Sequence, residues 1–148
     1  MKQFKFALVG CGRIAYRHAQ QIARVGELVA VCDVLHQAAQ DLSREFGARP
    51  YYSLESMLAQ EAELDVVSIC SPNGLHAEHS IKSLQAGCNV LVEKPMALSS
   101  KDCGEMIKAA ERANRRLFAI KQNRFNPPVA AVKDALDHIG PAQIQRIR

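Results

Sequence analysis

Gly10, Gly12 and Ala15 stand in the run Gly10-Cys11-Gly12-Arg13-Ile14-Ala15, which fits the pattern G-x-G-x-x-A. Small residues at this spacing suit the binding of a phosphate-bearing ligand where a strand turns into a helix. Gly10 permits the tight turn, Gly12 lets a pyrophosphate approach the main chain, and Ala15 keeps the helix close to the sheet. The helix start, beginning with Arg13 and Ile14, offers free N–H groups and the positive end of its dipole. The pattern alone is weak. It gains weight from context, because the apolar run Phe4–Val9 precedes it and the helical pattern Arg13–Val25 follows it.

Asp33 is the second chemical residue. It closes the apolar run Leu28–Cys32, about 20 residues beyond the glycines, where an acid can accept hydrogen bonds from ribose hydroxyls. Its charge would repel a 2′-phosphate, and Val34-Leu35-His36 contains no arginine to welcome one. These residues favour NAD over NADP. A role for Asp33 in capping the next helix is compatible with this reading.

Three further polar groups follow apolar runs, at the strand ends where such ligands lie. They are Cys70-Ser71-Pro72-Asn73-Gly74-Leu75-His76, Glu93-Lys94-Pro95, and Lys121-Gln122-Asn123-Arg124-Phe125-Asn126-Pro127. The Lys94 ammonium could stabilise a developing alkoxide or move a proton. Taken without further context, a lysine that merely pairs with Glu93 explains the sequence equally well. His76 and His79 share a helix face, but a metal site needs a third ligand and none is near in sequence. No metal is expected, and His79 reads as an ordinary helix-surface residue. His18 either approaches the substrate or packs.

The elements that position these residues alternate. After the second strand come a helix over Leu35–Phe46 stopped by Gly47, a short strand at Tyr51-Tyr52, and a small helix over Leu54–Ala59. Leu64–Cys70 is rich in β-branched residues and apolar almost throughout, as a parallel strand buried on both faces is. A helix over Gly74–Ala86, a strand over Asn89–Val92 and a helix from a Ser99/Asp102 capping box to about Asn114 come next. In that helix Cys103, Met106, Ile107 and Ala110 fall on one face. A strand over Leu117–Lys121 and a helix opened by Pro127-Pro128 complete the series, with a candidate boundary at Gly140-Pro141 and an extended segment after it. This alternation predicts an α/β, Rossmann-type doubly wound parallel sheet.

Length and composition agree with one such domain: 148 residues, 48% hydrophobic and 23% charged. The net charge of +4 is spread along the chain without the basic stripe that would track nucleic acid. The apolar start of the chain is too short for a signal core or a membrane span. Five cysteines, an odd number with no C-x-x-C, fit free thiols and a cytoplasmic setting.

The ordered set GCGRIA, VCD, SPNGLH, EKP and KQNRFNPP resembles the N-terminal domain of the Gfo/Idh/MocA oxidoreductases over essentially the whole chain. Within that family, GRIAYRH and KQNRFNPP most resemble the UDP-N-acetyl-glucosaminuronate 3-dehydrogenases of surface-polysaccharide synthesis. The resemblance implies a dinucleotide-binding domain over residues 1–141. Residues 142–148 would open an α+β substrate domain that also builds a homo-oligomer. It implies NAD as cofactor, and a sugar or nucleotide sugar as small-molecule partner, with no nucleic acid or membrane. Lys94 would be catalytic, touching both cofactor and the hydroxyl being oxidised, and the Lys94-Pro95 bond would be cis. Ser71, Pro72, Asn73, His76 and Glu93 would join Gly10, Gly12, Arg13, Ile14 and Asp33 around the cofactor. Gln122, Asn123 and Arg124 would face nicotinamide, substrate or both. The family's usual catalytic histidine belongs to the second domain, so this stretch alone is expected to be inactive. Alternatives are a dehydrogenase of another sugar or of inositol, a non-catalytic NAD- or sugar-sensing member, and a methyltransferase using S-adenosylmethionine. The EKP run and the six-strand plan argue against the last.

Overall fold

Apolar runs flanked by helices cannot leave their main-chain polar groups unpaired, and here they pair side by side in one sheet. A computed structural model describes residues 3–139 of the chain. Its strands are β1 (Phe4–Val9), β2 (Gly26–Cys32), β3 (Arg49–Tyr51), β4 (Val66–Ile69), β5 (Asn89–Val92) and β6 (Leu117–Ala119). They form a six-stranded sheet in the order β3-β2-β1-β4-β5-β6, and every neighbouring pair is parallel. The order reverses between β1 and β4, and a ligand crevice is expected outside the carboxyl ends of those strands.

Helices α1 (Arg13–Val25) and α2 (His36–Phe46) cover one face. Helices α3 (Leu54–Gln60), α4 (His76–Gln85) and α5 (Ser100–Ala113) cover the other. Ala15, Ala19 and Ile22 make the buried stripe of α1 and meet Leu8, Leu28 and Val31 of the sheet. Two small residues in that stripe let the helix approach closely, so Ala15 holds the position expected of it. On the opposite face Val67, Ile69, Val90 and Val92 pack with Leu84 of α4 and with Met106, Ala109 and Ala110 of α5. Gly47 ends α2 in the left-handed region at φ 72°, and Asn114 does the same for α5 at φ 49°. The Ser99 hydroxyl accepts the Asp102 N–H at 3.0 Å, as the capping pattern predicts. Helix α6 (Pro127–Ile139) opens on its two prolines. The boundary at Gly140-Pro141 and the segment after it lie outside the described residues.

Several local expectations shift: the short strand expected at Tyr51-Tyr52 lies at Arg49–Tyr51, and the last strand stops at Ala119. The helix after β4 opens with a 3-10 turn, Asn73–Leu75, before α4 begins. Asp33 is not the residue that caps α2; Leu35 holds that place, and Asp33 serves the loops described below. Ile107 is 50% exposed although the helical period placed it inward. The buried arc of α5 instead runs through Met106, Ala109 and Ala110, because the small side chains let that flank settle on the sheet. Ile107 is left over a shallow groove beside Met96 and Leu117.

Candidate active site

The two glycines of the first turn answer to different needs. Gly10 has φ +91°, and a Cβ there would lie 2.5 Å from the Ser71 nitrogen and 2.6 Å from the Cys70 carbonyl carbon and oxygen. The fold itself therefore demands glycine. Gly12 has φ −79°, and a Cβ built on it meets nothing within 4 Å. Among the described residues nothing requires glycine there. A side chain would instead occupy the space over the start of α1, where no side chain caps the helix and its first turn holds no acid. An approach kept clear beside helix N–H groups that lack intrahelical partners suits the pyrophosphate of a dinucleotide.

Asp33 leaves β2 at the same edge. Its Oδ2 accepts the Cys11 N–H at 2.7 Å and its Oδ1 accepts the Leu35 N–H at 2.8 Å. The carboxylate thus braces the glycine turn against the loop after β2. A carboxylate has about four acceptor sites, so two remain for ribose hydroxyls. Beside it His36 stacks on Tyr52, with ring centroids 3.8 Å apart and planes 20° from parallel. Both rings escaped the sequence reading, since only the fold brings the residue after β3 to the start of α2.

A cleft of about 510 Å³ opens at the carboxyl end of the sheet, between Arg13 and Arg17 of α1 and the turns that carry Ser71, Asn73, Lys94 and Gln122. That volume falls in the range of small-molecule sites. A larger hollow, about 610 Å³, lies at the opposite end of the strands among Lys5, Glu61, Asp65 and Arg115. The first hollow is the candidate, because it alone adjoins the glycine turn and the strand ends where such sheets bind ligands. Lys94 and Gln122 also line an adjoining depression with Lys121 and Asn123, which extends the cleft towards β6. Arg124 belongs to the same short turn, Gln122–Phe125, but its side chain lies outside the described residues. Pro72 is exposed at the head of the Asn73 turn. Arg17 was not singled out from the sequence. Its place four residues after Arg13, on the same side of α1, is the signal that would have found it.

The histidines of α4 build the wall. His76 is fully buried, with Nδ1 2.7 Å from the Pro95 carbonyl oxygen and Nε2 2.8 Å from that of Ser71. It fastens the turn after β4 to the turn after β5, so its contribution to the cleft is shape. His79 is half-buried, with Nδ1 3.0 Å from the Ser71 hydroxyl, and so is not the plain surface residue expected. Burial pushes its imidazole pKa below the usual value.

Glu93 and Lys94 part company at the end of β5. Glu93 is 7% exposed; its Oε1 lies 3.1 Å from His18 Nε2, and its Oε2 accepts the Lys94 main-chain N–H at 3.0 Å. Both carboxylate oxygens are thus engaged, at the edge of the cleft that Glu93 helps to line. The Lys94 side chain is exposed towards the cleft, and its ammonium has no carboxylate partner among the described residues. The ion pair that offered a purely structural account of Lys94 is absent from this arrangement. The Lys94-Pro95 bond is cis. His18 turns inward instead of facing the cleft.

Three thiols lie around the glycine turn. Burial pushes the pKa of Cys11 up to about 12, that of Cys32 to about 11 and that of Cys70 to about 12. Among the described residues no group of three or more metal-ligating side chains is assembled, and no helix is long and apolar enough to cross a membrane.

A doubly wound parallel sheet, a glycine turn kept clear over a helix start, an acid after β2 and an unpaired lysine at the rim define a dinucleotide-dependent oxidoreductase domain. Over residues 4–121 the chain belongs to the oxidoreductase family with the NAD-binding Rossmann fold, the Gfo/Idh/MocA family. It is similar to the WlbA dehydrogenase of Bordetella pertussis, solved with NADH and UDP-GlcNAcA, at 41% identity and a TM-score of 0.87. That match covers 93% of this chain and 42% of the other. It is also similar to the D-glucoside 3-dehydrogenase of Escherichia coli strain K12, 35% identical over 82% of this chain and 35% of the relative. The myo-inositol 2-dehydrogenase of Thermotoga maritima is 27% identical over 97% of this chain and 44% of its own length. The chain therefore spans less than half the length of these relatives. NAD is the cofactor of the family, and the donors and open space at the glycine turn fit it.

Loss of the Asp33 carboxylate is expected to weaken NAD binding by about 1–3 kcal/mol, the worth of the hydrogen bonds it would make to ribose. Calorimetric titration of NAD and NADP into the wild type and Asp33→Ala checks this, with the NAD preference lost in the variant separating the ribose contact from the brace to Cys11 and Leu35. Equal affinities for the two cofactors in the wild type would remove Asp33 as the selector.

Proposed function

We propose that this chain is the NAD-binding half of a dehydrogenase that oxidises a secondary hydroxyl of a nucleotide sugar. The substrate class is a UDP-N-acetylamino-sugar uronate oxidised at C3. The unpaired Lys94 ammonium in the cleft carries the proposal, and the likeness to WlbA supports the choice of substrate. When bound, NAD accepts the hydride released from the carbinol carbon. The chain's own residues supply the rest of this half-site. The main chain at Gly10, Gly12, Arg13 and Ile14 holds the pyrophosphate, and Asp33 takes the ribose hydroxyls. Ser71, Pro72, Asn73 and His76 shape the wall beside the second ribose, with Glu93 behind them. Lys94 donates a hydrogen bond to the reacting hydroxyl and stabilises the alkoxide as its proton leaves. Gln122, Asn123 and Arg124 orient the sugar. The exposed cations Arg13 and Arg17 give the cleft a charge suited to an anionic substrate.

In this reading residues 1–141 form the cofactor domain, and residues 142–148 lead into a substrate domain that supplies the proton acceptor and the oligomer contacts, in the cytoplasm. The relatives' substrates include a D-glucoside and myo-inositol, so a different polyol is the second reading. The test is NADH formation at 340 nm by the whole protein with UDP-sugar uronates, neutral UDP-sugars, glucosides and inositols. Turnover is expected with the uronates. Preference for a neutral sugar or inositol would overturn the substrate, and no turnover with any of them would favour a sensing role.

A further inference from the structure

We propose that His18 is a positioning residue for Lys94, acting through Glu93. This rests on the proposed role of Lys94 and adds a residue to which that role assigns nothing. His18 lies on α1 at the flank of its sealing stripe of Ala15, Ala19 and Ile22, three residues after the first and four before the last. Its ring reaches across to the strands on the other side of the topological switch. Nδ1 lies 2.8 Å from the hydroxyl of Ser68 on β4, and Nε2 lies 3.1 Å from Glu93 Oε1 at the end of β5. The His18 and Glu93 side chains are only 10% and 9% exposed, and Ser68 is fully buried. The carboxylate can only accept, so Nε2 carries the hydrogen towards it, and in the neutral imidazole Nδ1 accepts the Ser68 hydroxyl hydrogen.

Packing alone does not call for this arrangement. Burying a carboxylate and an imidazole costs more than burying apolar side chains of the same size, and such groups often add no net stability. What the network does is fix where Glu93 points. With Oε1 on His18 and Oε2 on the Lys94 main-chain N–H, the carboxylate holds the turn in place and stays away from the Lys94 ammonium. Without His18, Glu93 loses the partner of its Oε1, and the next residue in the chain is the cation Lys94. An ion pair there would withdraw the ammonium from the substrate. The same imidazole joins the helix whose start takes the pyrophosphate to the turn that presents the lysine, so the two ends of the half-site keep a fixed relation.

The test uses the whole protein and four variants: His18→Ala, His18→Gln, Lys94→Ala and the double variant His18→Ala/Lys94→Ala. Misplacing Lys94 is expected to lower kcat about 10- to 100-fold in His18→Ala, with the KM for sugar little changed. His18→Gln, whose amide can donate to Glu93 and accept from Ser68, is expected to recover most of that loss. In the Lys94→Ala background, removal of His18 is expected to cost nothing more, because both changes act on one group. A binding readout accompanies the kinetics. His18→Ala should leave the affinities for NADH and for ADP-ribose, which lacks the nicotinamide end, each within about 2-fold, as expected of a residue that acts only through Lys94. Equal weakening of both ligands, or additive losses in the double variant, would show a general structural role and overturn the proposal. If His18→Ala fails to fold, His18→Gln and Glu93→Gln carry the same comparison, with Glu93→Gln expected to lower kcat and His18→Gln to retain it. Normal turnover in Lys94→Ala would overturn the functional reading itself. Loss in Lys94→Ala with normal turnover in His18→Ala would overturn only the positioning role.

Discussion

In the whole protein, Lys94→Ala is expected to lower turnover about 100-fold or more, the scale of a group that stabilises charge or moves a proton in the transition state. NAD affinity should change little. The separation follows from position. The pyrophosphate is assigned to the turn at Gly10 and Gly12, and the ribose to Asp33, both on the β1–β2 side of the sheet. Lys94 stands past β4, at the end of β5. Its ammonium is free for substrate because Glu93 is engaged by His18 and by the Lys94 main-chain N–H. Lys94→Arg should not restore activity, since a planar guanidinium neither fits a point-charge site nor gives up a proton. Steady-state rates at 340 nm and NAD titration by calorimetry measure the two quantities. A Lys94→Ala enzyme with near-normal kcat would falsify the assignment.

The two glycines of the first turn are expected to fail in opposite ways. Gly12→Leu should cost about 1 kcal/mol of stability or less, the loss of a good helix-start residue, because its side chain enters open space. It should nevertheless weaken NAD about 100-fold or more, ~3 kcal/mol, by filling the approach to the helix start. Gly10→Ala should destabilise by about 2–5 kcal/mol, since a left-handed φ and overlap with the Cys70–Ser71 main chain act together. Denaturant unfolding and NAD titration of both variants separate the effects. If Gly12→Leu bound NAD normally, the pyrophosphate would have to lie elsewhere.

What the sequence made legible was whatever depends on the local main chain. The glycine turn, the left-handed stop at Gly47 and the Ser99/Asp102 cap are each set by a few adjacent residues, whereas the cis bond before Pro95 was expected only from the family resemblance. The parallel sheet followed from β-branched runs alternating with helices, which few folds accommodate. Helix flanks were harder. Ile107 and His79 were misplaced because a period of 3.6 fixes a face only to within about a residue, and small neighbours decide which flank settles. His18 illustrates the same limit at the site. Its partners Ser68 and Glu93 lie 50 and 75 residues away, and no local pattern joins them. Asp33 was read for its ligand, whereas its bond to Cys11 N–H became visible only with the loops assembled.

The thiols around the glycine turn bear on how the site withstands oxidants. Only the thiolate reacts quickly with peroxide or alkylating reagents. With its pKa pushed up to about 12, Cys11 presents roughly one thiolate in 10⁵ at pH 7, and Cys70 about the same. The loop assigned to the cofactor therefore carries sulfur that is chemically quiet. Iodoacetamide labelling, followed by mass spectrometry, is expected to spare Cys11, Cys32 and Cys70 for as long as the sheet stays folded, making their modification a clock for its opening.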